Sequence, residues 1–319
     1  MCLLRSIAVA FALLCGTAWA QGYPSKTVRL VVPYPPGGST DIVARVIAQK
    51  LTQAWGQPVV VENRSGGGTV IGTDAVAKAL PDGYTLLIAP APFTINPSLM
   101  RKLPYDTLAD FAPVTLVYTT PLVLVVNPNL AAKSVGEFIA LAKTKPRQLN
   151  FGSSGTGGSN HLAGELFNAM AGVEMVHIPY KGNAPALADL AGGHVDAVFN
   201  GLTSAVALVR SAKLRALAVT SRRRAEALPE IPTLDESGLK GFEAVAWSGI
   251  VAPAGTPHGV IARIHAEVKK IVHTAEFRER LKEEGSDPVG NAPDEYAAFL
   301  REEVAKWAKV IRFAGVKAD

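Results

Sequence analysis

Two segments combine residue types that can hold an anion without a charged side chain. The first is Pro35-Pro36-Gly37-Gly38-Ser39-Thr40-Asp41, which follows the β-branched run Val28 to Pro33. The second is Gly152-Ser153-Ser154-Gly155-Thr156-Gly157-Gly158-Ser159-Asn160-His161, more glycine and hydroxyl than a turn needs. Glycine lets the backbone turn sharply and approach a ligand. The free N–H groups of a helix opening there face that ligand, and the helix dipole favours negative charge. The hydroxyls and amides of the second segment can bind a carboxylate directly or through water. Each loop also has a purely structural reading, since Thr40 or Asp41 can serve as an N-cap. A third segment, Ser65-Gly66-Gly67-Gly68-Thr69, reads more as a turn than as an anion site.

Other chemistries fit poorly. No Gly-Lys-Ser/Thr ending makes either loop a P-loop, and the glycines at 155, 157 and 158 miss the Gly-x-Gly-x-x-Gly spacing. A serine hydrolase using Ser154, His161 and Asp196 is the alternative, but no Gly-x-Ser-x-Gly elbow surrounds Ser153, Ser154 or Ser159. The six histidines include no His-x-x-x-His pair, so no metal site is expected. Both cysteines, Cys2 and Cys15, fall in the leader described below, which excludes thiol catalysis in the remainder. Neither a cofactor nor catalysis is expected.

The elements that position these loops alternate. Val28 to Pro33, Pro58 to Glu62 and Tyr84 to Ala89 read as strands. Asp41 to Trp55 carries Val43, Ile47, Leu51 and Trp55 at helical spacing, and Val70 to Leu80 reads as a second helix. Ala112 to Tyr118 and Leu122 to Asn127 are apolar β-rich runs, and Ser134-Val135-Gly136-Glu137 resembles a capping box. Further strands are expected at Leu149 to Gly152, Met175 to Ile178, Val195 to Phe199, Leu214 to Thr220 and Ala244 to Ala252. From Pro257 the chain reads as helical, with a short strand near Pro288-Val289. This order predicts an α/β fold with mainly parallel sheets flanked by helices. The segments Thr119 to Leu124 and Ala244 to Ser248 are candidates for strands that cross between two lobes. No internal repeat is evident.

The bulk numbers agree. A chain of 319 residues suits two lobes better than one core. With 48% hydrophobic and 18% charged residues it is globular rather than disordered. The net charge of +5 includes one dense basic cluster, Arg222-Arg223-Arg224, with no interleaved aromatics, so nucleic acid is not an expected partner. Residues 1–20 read as a cleaved secretory signal, with Arg5, an apolar run from Ile7 to Leu14, and Ala18-Trp19-Ala20 before the expected start at Gln21. Export to the periplasm follows from that reading.

Taken in order, the segments resemble a known family along essentially the whole exported chain. They are Val31-Val32-Pro33-Tyr34-Pro35-Pro36-Gly37-Gly38, Val61-Glu62-Asn63-Arg64, Ile71-Gly72-Thr73-Asp74, Pro81-Asp82-Gly83-Tyr84-Thr85-Leu86-Leu87, Asn96-Pro97-Ser98-Leu99, Leu103-Pro104-Tyr105-Asp106, Phe111-Ala112-Pro113-Val114, Pro179-Tyr180-Lys181-Gly182 and Ala252-Pro253-Ala254-Gly255-Thr256-Pro257. The sequence resembles the extracytoplasmic solute receptors of tripartite tricarboxylate transporters, the Bug family. The resemblance implies a two-lobe, type II periplasmic-binding fold, with residues 21–121 and 246–319 in lobe 1 and 122–245 in lobe 2. It implies that the two loops clamp a small carboxylate, through Tyr34, Gly37, Gly38 and Asp41 on one side and Ser153, Ser154, Gly158, Ser159 and His161 on the other. Tyr180, Lys181 and the segment around Asn200 would line the rest. It further implies membrane permease partners; a monomer is expected, and a sensor signalling to a membrane kinase is the other non-enzymatic reading.

Two positions depart from the family's pattern. The stretch Ala89 to Ile95, with Phe93, stands where small hydroxyl residues are common, and Asn200 stands where many relatives have aspartate. The expectation is a carboxylate with an apolar or aromatic body, with Phe93 against it, and no preference for an amine. Calorimetry against aspartate, glutamate, citrate and aromatic acids tests this; tight binding of the amino acids alone would refute it.

Overall fold

The structure, a computed structural model, describes residues 22–180, 182–283 and 285–316. The segment read as a leader, with Cys2 and Cys15, and Lys181 lie outside the described residues.

The first strand–helix units form as the sequence pattern predicts. β1 (Val28–Val32) leads through the first glycine loop into α1 (Ser39–Trp55), then β2 (Val59–Asn63), α2 (Val70–Ala77) and β3 (Thr85–Pro90). β2, β1 and β3 run parallel and adjacent. α1 stops where Gly56 takes a left-handed conformation and returns its N–H to the Thr52 carbonyl, the usual helix-ending geometry. An unpredicted short helix, α3 (Pro92–Leu99), follows β3, with proline in its first turn where the missing N–H costs nothing.

The runs read as two strands, 112–118 and 122–127, form one. β4 (Phe111–Val126) continues through Pro121 for 16 residues. Its first part pairs antiparallel with β9 (Val245–Pro253); from Leu122 onward it pairs with β7 (Ala197–Gly201) and β8 (Arg215–Val219). Pro121, whose fixed φ is compatible with extended backbone but which has no N–H to give, sits where pairing with β9 ends and pairing with β7 begins. Next come α4 (Val135–Thr144), β5 (Asn150–Ser153), α5 (Ser159–Ala171), β6 (Val176–Pro179), α6 (Asn183–Gly192) and α7 (Leu202–Arg210). α4 is capped by Ser134, whose Oγ accepts the Glu137 N–H. The chain ends with α8 (His258–Val272), α9 (Ala275–Glu283), β10 (Asp287–Pro288) and α10 (Pro293–Ala314).

All strands join in one sheet of order β2-β1-β3-β9-β4-β7-β5-β6, with β8 and β10 also on β4. The pairings at each end are parallel, whereas β4 and β9 pair antiparallel, so the sheet as a whole is mixed. Strand residues are buried on both faces. Leu30 packs under α1 and α8 with Ile47, Leu51 and Ile264, while its neighbour Val31 faces the opposite core. That second core runs on beneath both ends of the sheet, through Phe93, Phe138, Phe151, Phe167, Phe199 and Trp307. Full burial of such side chains stabilises by about 1.5 to 3 kcal/mol each.

Candidate functional site

The two glycine loops are built alike. Gly38 precedes α1 at φ −81°, ψ 165°, and Gly158 precedes α5 at φ −76°, ψ 165°. Neither helix start has a side-chain cap, and each helix begins with serine, Ser39 or Ser159. The N–H of Gly37 donates to Asp41 Oδ2 at 2.9 Å, and that of Gly157 donates to His161 Nδ1 at 3.0 Å. Gly-Gly-Ser-Thr-Asp and Gly-Gly-Ser-Asn-His are thus one device used twice: a glycine N–H is tied to the residue four positions on, while the first-turn N–H groups carry no side-chain cap. The repeat is too short and too altered in sequence to be read as one.

Ser39, Thr40, Ser159 and Asn160 all line a cleft of about 450 Å³. Its floor is the antiparallel pair β4 and β9. Tyr118, Thr120 and Leu122 alternate along β4, and Ala246 and Ser248 along β9, as period-two side chains must on one face. The Ser248 hydroxyl donates to Tyr118 Oη at 3.2 Å. Tyr34 forms a wall; burial, then the Tyr118 hydroxyl nearby, pushes its phenol up, so it stays neutral. Pro90, Ala91 and Pro92 close one end, with Asn183, Gly201 and Ser204 opposite. Among the described residues that line the cleft, none carries a charged side chain.

The predicted residues divide into liners and supports. Tyr34 and Ser159 line the cleft. Gly37, Gly38, Ser154 and Gly158 lie in the loops beside it. Ser154 Oγ donates to Asn160 Oδ1 at 3.2 Å, and Asn160 Nδ2 donates to the Phe199 carbonyl at 2.7 Å, which docks the loop on β7. Asp41 is buried and accepts from Arg45 Nε at 2.9 Å, from Asn63 Nδ2 at 2.8 Å and from Gly37. The hydrogen bond from Arg45, against the opposing effect of burial, holds its carboxyl at about 2. Ser153 and His161 are buried under the second loop. Tyr180 turns its hydroxyl to Asp189 at 2.7 Å, and burial and that contact push it up to about 12. Asn200 is fully buried; its Nδ2 donates to the Ser204 hydroxyl at 2.6 Å and orients it at the cleft edge.

Phe93 is a correction. It is fully buried and packs edge-on against Phe111 with centroids 5.0 Å apart. It fills the core behind α3 and does not line the cleft. The third glycine segment also stays outside the cleft: Gly67–Thr69 forms one turn of 3₁₀ helix, and the Gly68 carbonyl accepts from Asn96 Nδ2 at 2.9 Å. The hydrolase constellation is not assembled, because Ser154 bonds Asn160, His161 bonds Gly157, and Asp196 Oδ2 accepts the Asn150 N–H.

Several liners were missed from sequence: Tyr118, Thr120, Asn183, Ser204, Ser248 and Ser286. The segments proposed as crossing strands were the available signal for the floor. A second groove of about 610 Å³ adjoins at Ser286, between α7 and α9, where Arg210, Arg278 and Lys282 face Glu226, Glu279 and Asp287. Neither glycine loop reaches it, so the smaller cleft is the candidate ligand site.

Residues 43–316 match the tripartite tricarboxylate transporter family receptor. The chain belongs to this family. It is 40% identical to BugT of Bordetella pertussis over 313 residues, 98% of this chain and 96% of that protein. A Rhodopseudomonas palustris protein solved with adipate is 36% identical with TM-score 0.76, over 93% of this chain and all of that one. MatC of the same organism, solved with malate bound, is 33% identical with TM-score 0.72, over 91% of this chain and all of that one. The receptor therefore has the type II periplasmic-binding fold and is a solute-binding protein, not an enzyme. No helix among its described residues is long and apolar enough to cross a membrane.

Proposed function

We propose that this receptor captures a small carboxylate between the starts of α1 and α5. One observation carries the reading. Two helix N-termini without side-chain caps, each opened by Gly-Ser, reach one cleft whose described lining holds no charged side chain. Helix N-termini and hydroxyls stabilise an anion there without a counter-ion. A ligand ammonium would find no carboxylate among those liners, so the receptor takes non-amino carboxylates whose body is apolar or hydroxylated. That the relatives above hold adipate and malate supports this class.

Residues 21–121 with 246–319, and 122–245, act as two lobes that close on the ligand. The antiparallel strands β4 and β9, which leave and re-enter the first half of the sheet near Pro121 and Val245, support that division. Residues 1–20 direct export and are removed, and the ligand-bound monomer delivers its cargo from the periplasm to membrane permease subunits.

The test is a thermal-shift and calorimetric screen of adipate, malate, aspartate, citrate and benzoate on the chain from Gln21. A ligand that binds only the folded state raises Tm. Gly38 is suited to a paired control, because its backbone angles suit any residue and a Cβ there meets nothing within 4 Å. Gly38→Val is expected to fold normally and to abolish the shift. An unchanged shift in Gly38→Val, or a response to aspartate alone, refutes the reading.

A further inference from the structure

The two clamps differ in their anchoring group. In the first, Gly37 is tied to a carboxylate that stays ionised at any ordinary pH. In the second, Gly157 is tied to an imidazole nitrogen. To accept that N–H, Nδ1 of His161 must carry no proton, which places the ring proton on Nε2, 3.4 Å from Glu165 Oε1. A second imidazole completes the mount. His177 stacks on His161 with centroids 3.6 Å apart and planes 14° from parallel. Its Nε2 lies 2.6 Å from Ser153 Oγ, which also accepts the Gly155 N–H at 3.2 Å. Both glycines stand at positive φ, 143° and 78°, so the loop's shape depends on these ties.

We infer that His161, backed by His177, is the positioning residue of the second loop, and that it makes this half of the clamp sensitive to acid while the Asp41 half is not. The inference rests on the carboxylate-binding reading above. A proton added to Nδ1 turns the acceptor of the Gly157 N–H into a second donor, and the two groups then repel. The new charge also faces the parallel ring of His177, which burial and then His161 keep neutral down to about 3. Glu165, on α5, brings a carboxylate to the pair. β5 and β7 bring Phe151 and Phe199. The buried acid of α10, Glu303, is taken by Trp247, Trp307 and Lys306. Protonation therefore frees the loop that presents the N–H groups of Ser159 and its neighbours, and the cleft loses one of its two anion-binding ends.

Two measurements test this. Nitrogen NMR of the ligand-free protein between about pH 8 and 5, where imidazoles exchange protons, needs no ligand. The expected result is an unprotonated Nδ1 on His161 at pH 8, and Gly155 and Gly157 amide signals that move together as that nitrogen is protonated. A proton on Nδ1 at pH 8, an Nδ1 still unprotonated at pH 5, or glycine amides that stay fixed as that nitrogen gains its proton, overturns the proposal.

The second uses adipate as probe. His161→Asn keeps an acceptor that does not titrate; His161→Phe keeps the stacked ring and loses the acceptor. Loss of one such hydrogen bond weakens binding about threefold to tenfold, expected for His161→Phe at pH 8 and not for His161→Asn. Between pH 8 and 5 the wild type should weaken by that factor beyond His161→Asn, whose profile carries adipate's own protonation. Equal profiles refute the inference. If the wild type does not bind adipate at pH 8, the choice of ligand fails and the NMR result alone decides the role of His161.

Discussion

Asp41 and His161 are counterparts: each accepts the N–H of the glycine four residues before it, at 2.9 and 3.0 Å, from the first turn of a helix that opens on the cleft. The equivalence sets what each should contribute. Asp41→Ala removes the acceptor of three hydrogen bonds from a buried site, leaving the Gly37 and Asn63 donors without it. Because hydrogen bonds to charged groups are worth about 1.5 to 3 kcal/mol and Arg45 is half exposed, the expected loss is about 3 kcal/mol. Urea unfolding measures it; a loss under about 1 kcal/mol would mean the carboxylate is not an anchor.

Stability should fall in two acid steps. His177 is held at about 3 against 6.5 for a free imidazole, by burial and then by His161. Between those values the unfolded chain takes up a proton that the folded chain refuses, so stability declines as pH drops below 6.5. Asp41 acts lower. Its folded value of about 2 lies under the ordinary 3.8, so its contribution is complete above 3.8 and is lost as pH falls toward 2. The expected urea midpoint is level from pH 8 to 7 and descends from 6.5. His177→Gln should flatten the upper step and spare the lower one.

Gly164 and Gly136 predict opposite responses to alanine. A Cβ on Gly164 would stand 2.1 Å from the ring of Phe151, itself pinned beside His177 and Phe199. Overpacking of this kind costs about 1 to 3 kcal/mol. Gly136 lies in the first turn of α4 with nothing within 4 Å of a Cβ, so alanine there should stabilise by about 0.5 to 1 kcal/mol. Thermal denaturation of both variants is decisive if the signs agree with each other, since the prediction requires that they differ.

Glu303 ties β9 to α10. Buried, it accepts from Trp247 Nε1 at 3.3 Å and Trp307 Nε1 at 2.8 Å. Trp247 borders the cleft, and its indole packs edge-on against Tyr296 and Phe299. Glu303→Leu should cost about 2 to 4 kcal/mol, from two buried donors left unmatched, and should shift tryptophan emission. An unchanged spectrum would show that the indoles do not depend on this carboxylate.

The alternating units, the capping box at Ser134 and the first glycine loop were legible because local pattern decides them. β1 and α1 carry their apolar residues at the period of the element they form. The continuity of β4 was legible only in pieces: 112–118, 119–124 and 122–127 read as separate segments, because the partners on β9, β7 and β8 that join them are unknown from sequence. The liners Tyr118 and Ser248 were not legible: which face of a strand looks into a cleft follows from its register, here Tyr118 opposite Ser248. Phe93 misled for a related reason. It was placed against the ligand because its stretch departs from the family's pattern, but eight residues are too few for helical periodicity to declare itself, and α3 turns the ring inward.

β4 has a mechanical consequence. At a rise of about 3.3 Å per residue its 16 residues form a beam roughly 50 Å long. Along its first part it is laced to β9, and further on to β7 and β8. Such a ribbon resists sliding along its length and yields to flexing across its face. Any change in the angle between the two ends of the sheet is then an elastic deformation, concentrated where the register slips, between Pro113 and Thr115, Leu116 and Tyr118, and Leu124 and Val125. If the two ends of the sheet move against each other on a ligand, this ribbon makes them tweezers cut from one strip rather than leaves turning on a pin.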